Sequence, residues 1–304
     1  MELKNSCPVL SLIKPNFIEH NSAYWEVLPY WESKPKMRVG GGNGQIYRII
    51  DPVDGEECIV KISKFSEEAA KDNKWINKRL LRFYREIEAL KKSLEEDVDG
   101  VVMIYGDGKV KIEDEVFPYF IMEKCDCNLK EYLESNEVDI SQKILLCYEI
   151  AKTIGILHYH KIYHRDIKAE NIFFIDDQPI VGDLGLVESR DSDFVIDERG
   201  EIIGPIGWMT PEATNKFLTE KTKFGKYFNC KIDKKSDIFQ LGKLFWYILQ
   251  GNLPLGQIIF DDFIVKDQLL YNIIFEMLQH ESERRPTLTN IQKNIKYLFP
   301  NYQL

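Results

Sequence analysis

The sequence predicts an α+β molecule in two lobes: a small β-rich N-terminal lobe with one main helix, then a larger α-helical lobe, with an active site in the cleft between them. Three observations carry this. Short strand-like runs separated by turn signals fill the chain to about residue 124. Apolar stripes at helical spacing dominate after it. The residues best suited to chemistry fall beyond that change, and sites favour junctions of this kind. The expected organisation is an N-terminal extension over 1–35, a first lobe over 36–124 and a second over 125–304.

In the first lobe, "QIYRII", "DPVDG" and "ECIVKIS" read as a hairpin. The helix "NKRLLRFYREIEALKKSLEE" follows, with Leu80, Leu81, Tyr84, Ile87 and Leu90 at helical spacing. "VVMIYG" and "VFPYFIME" are the next strands. In the second lobe, "SQKILLCYEIAKTIGILHYH" places Ile144, Cys147, Tyr148, Ala151, Ile154 and Leu157 on one stripe, with Ser141 as the expected cap. Further helices are expected over 236–250, 265–280 and 287–298. The aromatic run "YWEVLPYW" in the extension packs on the first lobe or binds a partner, packing being the safer reading.

At 304 residues, 44% hydrophobic and 29% charged, the chain has a globular composition. A net charge of −9 argues against a dedicated nucleic-acid binder. The first twenty residues lack a signal-peptide apolar core, and "LFWYIL" (244–249) is far too short to span a membrane. The six cysteines show no C-x-x-C pair, and reduced thiols are expected. The resulting expectation is a soluble cytoplasmic protein with no nucleic-acid or membrane partner; its oligomeric state stays open.

"YHRDIKAENIFF" (163–174) sets Asp166, Lys168 and Asn171 on a short loop, and "VGDLG" (181–185) adds Asp183. Together they supply a carboxylate to accept a proton, an ammonium to steady an anion, and an amide with a carboxylate to hold a hard cation through oxygen. That set suits phosphoryl transfer from Mg²⁺-ATP to a hydroxyl. The glycine run in "RVGGGNGQIYR" (38–48) precedes a strand, where bare backbone N–H groups can approach phosphates. Histidines 158, 160 and 164 are read as packing and hydrogen-bonding groups rather than metal ligands.

From about Lys36 to Tyr302 the chain resembles the eukaryotic-type protein kinase family. "HRDIKAEN" resembles its catalytic loop, and "DLG" is similar to D-F-G with Leu184 replacing phenylalanine. "TPE" (210–212) resembles A-P-E, "KSDIFQLG" holds the bracing Asp237, and "ERRP" supplies Arg285 as partner of Glu212. The resemblance makes Lys61 of "ECIVK" the ATP-orienting lysine and Glu86 its ion-pair partner. It implies a phosphate loop over Val39, Gly40, Gly41, Gly42, Asn43, Gly44 and Ile46, although Val39 replaces the first glycine of the strict pattern. It also implies an adenine pocket bordered by Met122, Glu123 and Cys125, with ATP and Mg²⁺ as cofactors and Asn171 and Asp183 on the metal.

The implied activity is transfer of the γ-phosphate to serine or threonine hydroxyls of protein substrates, the chain itself included. Lys168 matches serine/threonine kinases, whereas Pro205 and Trp208 are similar to tyrosine kinases, so tyrosine or dual specificity is an alternative. Arg165 implies control by phosphorylation of the segment 183–212, on Ser189 or Ser192, with Thr210 the other hydroxyl considered; a solvated loop with incidental serines is the plain alternative. A pseudokinase scaffold and a small-molecule phosphotransferase are the remaining readings. Lys61, Glu86, Asp166, Asn171 and Asp183 weigh against the first, and Lys168, T-P-E and Arg285 against the second. A dinucleotide-binding oxidoreductase is rejected because the glycines lie between two strands.

Overall fold

The residues ahead of the glycine run fold as strands. Glu2–Lys4 (β1) and Cys7–Val9 (β2) form a small hairpin, and Phe17–His20 (β3) pairs antiparallel with Ala23–Leu28 (β4). β4 joins Gly44–Ile50 (β5) through Glu26↔Ile50, Val27↔Ile49 and Leu28↔Arg48. The segment containing "YWEV" is thus part of the sheet. The structure, a computed structural model, describes residues 1–31, 42–189, 196–205, 207–254 and 256–303. The chain divides into two units: Met1–Glu95 with Val102–Lys124, and Glu96–Val101 with Cys125–Leu304.

The expected hairpin forms between β5 and Glu57–Ser63 (β6). Two helices follow, Glu67–Asp72 (α1) and Lys74–Glu95 (α2), then strands Ile104–Ile112 (β7) and Glu115–Met122 (β8). Among the described residues they complete a six-stranded sheet of order β3-β4-β5-β6-β8-β7. Alternation explains its two faces. Trp25, Val27, Tyr47, Ile49, Cys58, Val60, Ile62, Phe117, Tyr119 and Ile121 form one buried cluster. Residues between them, Ile59, Lys61 and Phe120, turn the other way, and the Phe120 ring meets Phe83 of α2 with centroids 5.5 Å apart.

This contact sets the rotation of α2. Its buried stripe is Leu80, Phe83, Ile87 and Leu90, with Leu81 exposed and Tyr84 half-buried. Leu80, Ile87 and Leu90 of the expected stripe are therefore kept, while Phe83, which fills the space over Phe120, takes the place of Leu81 and Tyr84. The expected strand 101–106 also divides: Val101 bridges Val181 within the second unit, and β7 begins at Ile104. A β-carbon on Gly106 would lie 2.6 Å from His20 Nε2, so only glycine lets the β7 backbone pass that ring.

In the second unit, Cys127–Asn128 (β9) leads into Leu129–Ser135 (α3) and Ile140–Tyr159 (α4). Ile162–Tyr163 (β10), Ile172–Ile175 (β11), Gln178–Val181 (β12) and Glu188–Ser189 (β13) are short strands, ordered β12-β11-β9 and β10-β13. The remaining helices are Pro211–Thr219 (α5), Lys234–Gln250 (α6), Gln268–Met277 (α7) and Leu288–Leu298 (α8). Ser141 is not the cap of α4. Asp139 is, in a reciprocal box with Gln142 at 2.8 Å in each direction, while Ser141 Oγ donates to the Tyr302 carbonyl at 2.9 Å.

Ile144, Cys147, Ala151, Ile154 and Leu157 of α4 are buried, as are Ile238, Leu241, Leu244, Phe245 and Ile248 of α6. Fully burying each of these isoleucine, leucine and phenylalanine side chains contributes about 1.5–3 kcal/mol, so this α4–α6 core is a rigid base for the loop between β10 and β11. Asp233 caps α6, and Gly251 at φ 85° ends it. No helix among the described residues is long and apolar enough to cross a membrane. None of the six cysteines is joined in a disulfide.

Candidate active site

In the first unit, period-two alternation on β6 turns Lys61 toward α2, and helical spacing brings Glu86 beneath it beside Phe83. Lys61 Nζ donates to Glu86 Oε1 at 2.6 Å, with both side chains nearly removed from water. A buried ion pair gains only when its geometry is good, and losing one partner strands the other charge. The Lys61 ammonium also lies 5.8 Å from the Phe120 ring centroid.

Gly44 pairs with Ser63 at the start of β5. A β-carbon there would fall 2.9 Å from Lys61 Cγ and 3.1 Å from Phe83 Cε2. The reason for this glycine is therefore the Lys61 stem, a packing cause not foreseen in the phosphate-loop reading. Gly44→Ala is expected to displace Lys61, destabilise the unit by about 1–3 kcal/mol and weaken ATP binding. Urea unfolding and calorimetric titration with ATP would check both, and unchanged values would refute the packing account.

The Asn43 carbonyl accepts from Lys64 N at 3.0 Å, and its side-chain oxygen from Arg79 Nη1 at 3.3 Å. Gly42 lies beside the same arginine, and Ile46 pairs with Lys61. Val39, Gly40 and Gly41 lie outside the described residues. At the end of β8, Met122 and Glu123 are half-buried. Glu123 N donates to Met103 O at 3.0 Å, and Glu123 Oε1 accepts from Met103 N at 2.6 Å. Burial pushes the Glu123 carboxyl up. Cys125, the first residue of the second unit's main span, is half-buried.

The second unit brings together the strongest sequence signals. Asp237 on α6 is fully buried and grips the loop: its Oδ2 accepts from His164 N at 2.9 Å and its Oδ1 from Arg165 N at 2.7 Å. His158 Nε2 lies 2.7 Å from Oδ2. Burial pushes the Asp237 carboxyl up, but His158, His164 and the Arg165 amide outweigh it and hold it below the usual range. One turn along, Gln240 clamps the same loop, accepting from Ile167 N at 3.0 Å and donating to Arg165 O at 3.2 Å. His158 and Gln240 were not foreseen as site supports. The spacing of Asp237 and Gln240 on one helix face was the available signal.

Within the loop, Asp166 Oδ2 accepts from Lys168 Nζ at 3.1 Å and from Asn171 Nδ2 at 3.0 Å. Asn171 Nδ2 also reaches the Asp166 carbonyl at 2.8 Å. The other carboxylate oxygen, Asp166 Oδ1, is buried with no hydrogen-bond partner among the described residues. Burial pushes this carboxyl up, assisted by Asp183 and opposed by Lys168 and His164. The His164 ring meets the Gly182 carbonyl at 3.1 Å, and Gly182 N donates to Asn171 O at 3.0 Å, fixing Asp183 beside the loop. Asp183 and Arg165 adopt left-handed backbone, φ 54° and 65°, a strain of order 1–3 kcal/mol each.

Such an arrangement can accept a proton at Oδ1 while Oδ2 is held by two donors. With its Nδ2 engaged, Asn171 presents a carbonyl oxygen and Asp183 a carboxylate, the hard donors that Mg²⁺ takes. The orphaned Oδ1 and this donor set fit a magnesium nucleotide and an acceptor hydroxyl. No group of three or more His, Cys, Asp and Glu side chains among the described residues forms another metal site.

Arg165 is buried and forms an ion pair with Asp197, so a carboxylate already meets the guanidinium expected to receive a phosphate. Ser189 sits in β13 opposite Ile162, and Ser192 lies outside the described residues. Thr210 is buried and caps α5, its Oγ1 accepting from Ala213 N at 3.2 Å, which removes it from the hydroxyls open to modification. Pro205 O accepts from Trp208 N at 3.0 Å, and the buried Trp208 ring lies 6.1 Å from Tyr247.

Glu212 and Arg285 form a bidentate pair at 2.7 and 2.8 Å, with Ser236 Oγ donating to Glu212 at 2.7 Å. The guanidinium also donates to the carbonyls of Lys235, Gln279 and His280 and stacks 4.8 Å over Phe239.

Residues 34–299 match the family model described as the protein kinase domain. The chain is 30% identical over 218 residues to serine/threonine-protein kinase PrkC of Bacillus subtilis, covering 71% of this chain and 30% of the relative. It is 23% identical over 225 residues to dual specificity protein kinase TTK of Mus musculus, covering 71% of this chain and 26% of the relative. These matches span under a third of each relative's length. With the family model covering most of its length, the chain belongs to the protein kinase domain family.

Proposed function

We propose that this chain transfers the γ-phosphate of ATP to serine or threonine hydroxyls of protein substrates, itself included. The observation that carries the reading is Asp166: one buried oxygen held by Lys168 and Asn171, the other unpartnered among the described residues. Oδ1 orients the acceptor hydroxyl and takes its proton. Lys168 fixes Asp166 and offsets the charge on the transferring group. Glu86 holds the Lys61 ammonium toward the nucleotide phosphates, and the backbone at Gly42 and Gly44 covers them. Met122, Glu123 and Cys125 border the adenine. A Mg²⁺ ion held by Asn171 and Asp183 would neutralise phosphate charge as it develops.

Lys168 and the likeness to PrkC support serine/threonine specificity. Trp208 and the likeness to TTK favour dual specificity as the second reading. Phosphate on Ser189 or Ser192 would add to the hold that Asp197 already has on Arg165. The deciding experiment incubates the protein with γ-labelled Mg²⁺-ATP and a generic acceptor, then identifies the labelled amino acids. Label on serine and threonine supports the proposal, and label on tyrosine supports the second reading. Retained nucleotide binding without transfer would refute both.

The upward push on Asp166 gives a pH dependence. The base works only when ionised, so kcat/KM falls as the pH drops through its pKa. The inflection is expected above the ordinary aspartate value of about 3.9. Lys168→Met removes a cation that holds the carboxyl down and should move the inflection higher still. A pH–rate profile in which the variant's inflection fell instead would contradict this.

A further inference from the structure

From the second half of α5 toward α6 the chain makes an excursion, "NKFLTEKTKFGKYFNCK" (215–231), rich in lysine and aromatic residues. Residues 216–231 hold five lysines and one glutamate in a chain whose net charge is −9. The glutamate is engaged: Glu220 Oε2 accepts from Gly200 N at 2.6 Å and from Lys216 Nζ at 3.0 Å. Lys221, Lys223 and Lys226 are exposed and have no carboxylate within ion-pair reach among the described residues.

Aromatic surface lies among these charges. Phe224 is 52% exposed, Tyr227 71% and Phe228 49%. Lys223 Nζ sits 5.3 Å over the Phe224 ring, and Lys226 Nζ 4.9 Å over Tyr227. The excursion is a closed, ordered unit. Asn215 Nδ2 donates to Asn229 O at 3.1 Å, and Thr222 N to Thr219 O at 2.8 Å. A β-carbon on Gly225 would lie 2.8 Å from Glu220 Cα. Exposed rings on a loop closed this tightly form a standing patch.

The geometry points to this excursion as a docking surface for an acidic segment of a protein substrate that carries apolar residues among its carboxylates. The inference rests on the protein-kinase reading and deepens it. Charge complementarity selects the occupant, because carboxylates meet the three free ammonium groups while apolar side chains cover Phe224, Tyr227 and Phe228. A short segment suits the patch better than an extended anionic surface, which would also face the acidic remainder of the chain. The position fits a substrate. Arg199 Nη2 donates to Glu220 O at 2.8 Å and Gly200 N to Glu220 Oε2 at 2.6 Å, tying the excursion to the stretch between Asp183 and Glu212.

The test uses the full chain and the triple variant K221E/K223E/K226E, with dephosphorylated casein as acidic acceptor and myelin basic protein as basic acceptor. The variant is expected to raise KM for casein about tenfold, leaving kcat for casein unchanged and the basic acceptor no worse. A second variant, F224S/Y227S, should also raise KM for casein but keep its salt dependence. Anisotropy of fluorescein-labelled casein reads the binding without turnover and should weaken in parallel. Unchanged casein binding in both variants overturns the inference. So does cosedimentation of the wild type with phosphatidylserine-containing vesicles, lost in the triple variant while casein binding persists, since the patch would then be a membrane surface. Absence of label from either acceptor in the wild type would count against the kinase reading, with the anisotropy still deciding the docking surface.

Discussion

Asp166→Asn is expected to lower kcat by about 10²–10⁴-fold, with little change in ATP affinity or fold. Lys168 Nζ and Asn171 Nδ2 both donate to Asp166 Oδ2, so the asparagine carbonyl will take that position. Its amide NH₂ is then forced to the Oδ1 side, where a donor stands in place of the proton acceptor. Shape and local hydrogen bonds survive while basicity is lost. Steady-state kinetics with nucleotide titration measures both sides. A kcat within tenfold of wild type would refute Asp166 as the base.

Arg285→Ala is expected to produce the largest loss of stability, about 3–5 kcal/mol. The guanidinium is fully enclosed and meets Glu212 twice, three carbonyl oxygens and the Phe239 ring. Removing it leaves the Glu212 carboxylate buried, with Ser236 Oγ as its remaining side-chain donor among the described residues. Domain stabilities are only about 5–15 kcal/mol, so the second unit should unfold at much lower urea. Trp208 and Trp246, both buried there, report it by fluorescence. The double variant E212Q/R285M should be more stable than Arg285→Ala, because no charge is left behind. A cost below about 1 kcal/mol for Arg285→Ala would place it among neutral surface changes and refute the account.

Both predictions begin from residues legible in the chain as written. The composition of "HRDIKAEN" and "DLG" dictated which charges could meet, since local spacing alone sets Asp166, Lys168 and Asn171 within one short loop. Alternation in "ECIVK" and the helical period of "FYREIEAL" likewise determined that Lys61 and Glu86 could face each other. Boundaries were less legible where tertiary contacts competed with local preference. Ser141 looked like a cap but turned to Tyr302, leaving Asp139 to close the helix.

What the sequence by itself determined, then, is the order of the main elements from the glycine run onward, the family and the identity of the charged groups, because these depend on periodicity and on residues close in the chain. Only the tertiary structure decided how those groups are held. It placed Asp237 and Gln240, far along the chain, on the backbone of the catalytic-type loop. It set Phe83 and the Lys61 stem against Gly44, and Asp197 against Arg165. It also left the lysines and rings of 215–231 exposed together. Each is a contact between segments whose separation carries no local pattern, so packing and burial, rather than propensity, chose it.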